Sequence, residues 1–160
     1  MKELEITSRL IVYEDIDELP EEIRGLMQKA VEVRKNAYAP YSRFKVGAAL
    51  LLDNGEVVIG NNQENASYPS GLCAERVAVY QAGAKYPNVR INALAISAAS
   101  DNHTVLTPIP PCGACRQSLA EYEVKQEEPL VLYFMGETGK VVKAPSVKDL
   151  LPLLFDKSNL

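Results

Sequence analysis

Three cysteines constrain this chain more than any other feature. Cys112 and Cys115 form a Cys-x-x-Cys, and Cys73 stands alone far upstream in Cys73-Ala74-Glu75. An odd number of thiols does not make a disulfide framework. The opening Met-Lys-Glu-Leu-Glu-Ile is acidic and lacks an apolar signal core, so export is not expected. A fold that uses the thiols together must bring two distant segments to one point. Three thiolates would leave one corner of a tetrahedral zinc open, which is the pattern of a catalytic site rather than a closed structural one.

The patterning around the cysteines predicts alternating helices and strands. Pro20, Glu21 and Glu22 suit a helix start, and Ile23, Leu26, Met27, Ala30 and Val31 recur at helical spacing, predicting a helix from Glu21 to Ala37. Phe44–Leu52 and Glu56–Gly60 are strand-like, and Asp53-Asn54-Gly55 between them is a hairpin signal. A polar loop spans Asn61 to Ser70, and a helix runs from Cys73 to near Gly83. Val89–Ala98 is of strand length. A loop with Pro108, Pro110 and Pro111 leads into a helix over Cys112–Tyr122. Strands follow at Leu130–Met135 and Lys140–Lys143, and Ser146 caps a last short helix. Alternation over Leu4–Val12 hints at a further strand. The expected fold is α/β: a three-layer α/β/α arrangement with a mixed central sheet of about five strands. Residues 1–19 are expected to be an N-terminal extension, and 20–160 a single domain.

Composition narrows the function classes. The chain has 160 residues and a net charge of -4, with no basic cluster, which disfavours a phosphate-backbone grip. No apolar run approaches the ~18 residues of a membrane span.

Both cysteine groups are expected at helix starts, where unpaired N–H groups and the helix dipole favour thiolates. Glu75 would then sit beside a water at the open zinc corner and move its proton. Three thiolates leave zinc with a net negative charge, and Arg76 or Arg116 would compensate it; Arg76, next to Glu75, is favoured. The rival is a structural zinc completed by His103, the only histidine. It would leave Glu75 without a purpose. By spacing alone, Asn62 and Glu64 read as turn residues, Phe44 as strand core, and Phe155 equally well as an anchor for the C-terminus.

Taken together, Cys73-Ala74-Glu75-Arg76 and Pro111-Cys112-Gly113-Ala114-Cys115-Arg116-Gln117 resemble the small three-cysteine cytidine deaminases, within the wider zinc-deaminase signature. Ala39-Pro40-Tyr41-Ser42-Arg43-Phe44-Lys45-Val46-Gly47-Ala48-Ala49-Leu50, Gly60-Asn61-Asn62-Gln63-Glu64-Asn65-Ala66-Ser67-Tyr68 and Leu150-Leu151-Pro152 with Phe155 extend the similarity over about residues 22 to 155. The resemblance implies hydrolytic deamination of cytidine and deoxycytidine to uridine and deoxyuridine, with ammonia released, in pyrimidine salvage in the cytoplasm. It implies one zinc per subunit on Cys73, Cys112 and Cys115, with Glu75 as proton shuttle and Arg76 tuning its charge. It also implies Asn62 and Glu64 on the ribose hydroxyls, Phe44 against base or sugar, and the Ala74 backbone on the pyrimidine edge. Phe155 would stack near the base from a neighbouring subunit of a homotetramer with shared active sites. Two features depart from the family pattern: the residues ahead of Pro20, and Asp156-Lys157 where a glycine usually follows the aromatic. Rival readings keep the chemistry on blasticidin or a nucleic-acid base, or make the chain a non-enzymatic zinc-stabilised domain. The acidic balance and Asn62 with Glu64 favour a free nucleoside.

Overall fold

The computed structural model describes residues 1–160. Six strands form one sheet: β1 (Ile11–Tyr13), β2 (Phe44–Leu52), β3 (Val57–Asn61), β4 (Ile91–Ser100), β5 (Val131–Met135) and β6 (Val141–Ala144). Their spatial order is β1-β6-β5-β4-β2-β3. β4 and β5 pair in parallel and every other pair is antiparallel, so the sheet is mixed.

Helices cover both faces. α1 (Glu21–Arg34) packs Ile23, Leu26, Met27 and Ala30 on one side, against Ala49, Leu51, Ala93, Ala95, Tyr133 and Met135. α2 (Ala74–Lys85) and α3 (Gly113–Gln126) cover the other, over Ala48, Leu50, Leu94, Ile96, Leu132 and Phe134. Successive strand residues thus face opposite layers and both are buried. This is why β2, β4 and β5 read as unbroken apolar runs rather than alternating ones.

The expected elements are present with shifted ends. α1 stops three residues early: the amides of Lys35, Asn36 and Ala37 bond back three residues, to Glu32, Val33 and Arg34, so the helix tightens out of α geometry there. The β2–β3 hairpin turns where Gly55 adopts φ +83°, a region open to glycine at no steric cost. The Ser146 helix is one 3₁₀ turn, Val147–Asp149, capped by the Ser146 hydroxyl. The N-terminal strand is only Ile11–Tyr13; it adds to β6 and makes the sheet six-stranded.

Two features bring the helix starts together. At Gly60 in β3, a Cβ would lie 2.6 Å from the Ala74 carbonyl oxygen, so α2 rests directly on the strand backbone. Further along, Gln63 and Leu72 exchange amide–carbonyl bonds of 2.9 and 3.0 Å, and the Glu64 amide donates to Tyr38 at 2.9 Å. The loop after β3 is thereby folded back so that Leu72 delivers Cys73 to the head of α2.

Candidate metal and active site

Cys73 and Cys112 are the N-cap residues of α2 and α3, and Cys115 lies one turn into α3. Cys73 and Cys112 have extended backbone, as an N-cap requires. The three Sγ atoms lie within 4.8 Å of one another, with Cys73 and Cys112 3.8 Å apart. Cys115 is fully buried and Cys112 is exposed. The Cys73 thiol is drawn down to about 5, first by its hydrogen bond with Cys115 and then, against burial, by the Arg76 guanidinium and Cys112. Cys115 is pushed upward by the neighbouring Cys73 and by burial, with the charge on Glu75 adding to the rise.

Glu75 follows Cys73 by two residues and is 4% exposed. Its Oε2 is buried without a hydrogen-bond partner. Burial pushes its carboxyl up to about 7; its own backbone amide pulls it back, and the charge on Cys73 adds to the rise. Because Cys73 precedes the regular helix, the two side chains are freed from the opposed directions that two-residue spacing imposes inside one. Arg76 donates from Nη2 to Cys73 Sγ at 3.8 Å. Arg116 makes no bond to sulfur; it donates to the Pro111 and Leu150 carbonyls. His103 is exposed in the loop after β4 and is not among the clustered ligand atoms.

A cavity of about 410 Å³, within the usual range for small-molecule sites, opens beside Cys73 and is lined by Tyr41, Ser42, Glu64, Tyr68 and Arg76 among others. Glu64 Oε2 accepts from the Tyr41 and Ser42 amides at 2.9 and 3.2 Å, and Oε1 from the Ser42 hydroxyl. Desolvation raises its pKa, but these bonds outweigh it and hold the carboxyl below the ordinary glutamate value.

The description "Cytidine and deoxycytidylate deaminase zinc-binding region" belongs to the family whose pattern matches residues 20–127. The chain belongs to this family. A cytidine deaminase of Halalkalibacterium halodurans is 39% identical over 135 residues, which cover 84% of this chain and 95% of that protein. One of Sporosarcina psychrophila is 36% identical over 140 residues, covering 87% and 95%. The crystal structure of cytidine deaminase from Burkholderia pseudomallei superimposes with a TM-score of 0.71 at 38% identity, over 86% of this chain and all of that one. The three-layer fold with its mixed sheet is the fold of these deaminases.

The family is a zinc-binding one, and the thiols fit the ion. Sulfurs bound at ~2.3 Å in a tetrahedron stand about 3.8 Å apart, the separation of Cys73 and Cys112. Thiolate is the donor zinc prefers, and an unpaired buried carboxylate oxygen beside the cluster leaves room for chemistry there.

Among the other residues singled out from sequence, Glu64 lines the cavity. Ala74 is buried as the first residue of α2, next to the cluster. Asn62 is buried, and its amide ties β2: Oδ1 accepts from the Val46 amide at 2.8 Å and Nδ2 donates to the Phe44 carbonyl at 2.9 Å. Phe44 is half-buried at the head of β2. Phe155 is 60% exposed near the C-terminus and does not line this chain's own cavity. Sequence reasoning assigned nothing to Ser42, Tyr41 and Tyr68. Tyr41 and Tyr68 stand 6.3 Å apart at the cavity wall, and the only prior signal was their place within the family-like segments.

Proposed function

We propose that this deaminase converts cytidine and deoxycytidine to uridine and deoxyuridine, releasing ammonia. The observation that carries the reading is Glu75, a buried carboxylate with one unpaired oxygen beside three clustered thiols. Cys73, Cys112 and Cys115 hold the zinc, and Arg76 offsets their negative charge through Cys73. Zinc, when bound, would supply Lewis acidity that lowers the pKa of water and stabilises negative charge on the attacking oxygen. Glu75 Oε2 takes a proton from the attacking water and delivers it to ring N3, which makes C4 electrophilic. It then carries the hydroxyl proton to the amino group, which leaves as ammonia. One group serves as base and then acid, a role suited to a carboxyl raised toward neutral pH.

Glu64 fixes the ribose from the cavity wall, and Asn62 joins it through the one donor and one acceptor its amide has left. The Ala74 backbone meets the pyrimidine edge, and Phe44 backs the base or sugar. Phe155 reaches the site of a neighbouring subunit in a homotetramer; its exposure here is compatible with that. Residues 20–160 form the catalytic domain and 1–19 an extension. Three free thiols suit a reducing cytoplasm.

The test is Glu75→Gln. The variant should retain about one zinc per chain and lose ~100-fold or more in cytidine turnover, followed by the absorbance change on deamination. Turnover equal to the parent enzyme would refute the assignment.

A further inference from the structure

The segment 106–111 delivers Cys112 to the cluster, yet it holds three prolines and no backbone–backbone hydrogen bond reaches it. Its single hydrogen bond is from Arg116 Nε to the Pro111 carbonyl, at 2.8 Å. Pro111 is fully buried and immediately precedes Cys112. The same guanidinium donates from Nη1 to the Leu150 carbonyl at 2.9 Å. Next to it, Gln117 Nε2 donates to the Phe155 carbonyl at 2.9 Å. The first turn of α3, which carries Cys115, therefore holds both the loop that brings Cys112 and the C-terminal segment.

We propose that Arg116 is a positioning residue for Cys112: its planar fork clasps the carbonyl ahead of that thiol to the Leu150 carbonyl, so that the metal-site loop and the C-terminal segment are held as one piece. The proposal rests on the three thiols being zinc ligands. The clasp depends on shape as well as charge. Two different nitrogens of one rigid plane reach the two carbonyls, whereas a lysine ammonium is a single point on a flexible stem.

The experiment compares zinc-loaded wild type with Arg116→Lys and Arg116→Gln. Two quantities are read: zinc transfer to an excess chromogenic chelator, and hydrogen exchange in peptides spanning 110–118, where the Arg116 amide donates to the Cys112 carbonyl, and 149–156. Both variants are expected to release zinc roughly 10-fold faster. Exchange should rise in both segments together, with the β2 and β4 amides unchanged. Zinc release at the wild-type rate would overturn the proposal. So would restoration by lysine, which keeps the charge, or faster exchange in only one of the two segments. Should Arg116→Gln fail to fold, Arg116→Lys decides alone. Wild-type protein that binds no zinc would sink the underlying metal reading, and the exchange data would still decide whether Arg116 couples the segments.

Discussion

A buried carboxylate oxygen without a partner is costly, and Glu75 keeps one. Glu64 is the opposite case, a carboxylate filled with donors from Tyr41 and Ser42. The contrast is what the proposed roles require: an oxygen left free to take a proton in Glu75, and a carboxylate fixed in place at the cavity wall in Glu64. Because the folded-state pKa of Glu64 is depressed, its contribution to stability is present above the ordinary glutamate value of about 4.3 and is lost as pH falls from there through the folded value. Glu64→Gln should therefore lower stability at neutral pH, and the gap from wild type should narrow on acidification, measured by urea unfolding across a pH series. A gap independent of pH would contradict this account. At this scale the clustering of the three cysteines was legible, because few arrangements use an odd set of thiols in this spacing. The place of Glu64 at the cavity wall and the ties of Asn62 to β2 were not legible from spacing, since turn residues look the same. The partners of Arg116 were hidden because Leu150 lies far away in sequence and offers only its backbone.

At the scale of elements, hydrophobic pattern and turn chemistry located the helices and strands to within a few residues. The ends drifted where local geometry, not side-chain pattern, decides. α1 tightens into three-residue turns after Arg34, and the alternation at Leu4–Val12 yields pairing only where β6 supplies an edge, at Ile11–Tyr13. No periodicity announces how closely α2 approaches β3, because that is a property of the absent side chain at Gly60. Gly60→Ala would bring a Cβ to 2.6 Å from the Ala74 carbonyl and 2.7 Å from the Ala78 amide. Both are backbone atoms, so α2 must shift and Cys73 with it. A loss of about 1–3 kcal/mol or more in unfolding free energy is expected by urea titration, with weakened zinc retention. Wild-type stability in this variant would show that α2 does not rest on the strand as described.

For the whole molecule, the mixed sheet and its two helical layers followed from the element order, while the sixth strand came from a segment with no strong signal. The surface keeps apolar groups exposed at both ends of the chain: Leu4, Ile6 and Leu10, and Leu153 and Phe155. The proposed homotetramer should appear in multi-angle light scattering at four times the 17.6 kDa chain mass, and a monomer at micromolar concentration would contradict it. No helix is long and apolar enough to cross a membrane.

Everything chemical in this account begins with three sulfurs on one ion. Zinc K-edge X-ray absorption of the purified protein examines that directly. The expected spectrum has three sulfur neighbours at ~2.3 Å and one lighter oxygen neighbour. A fourth sulfur, or a histidine signature in place of the oxygen, would mean a closed structural site and would contradict the deaminase mechanism.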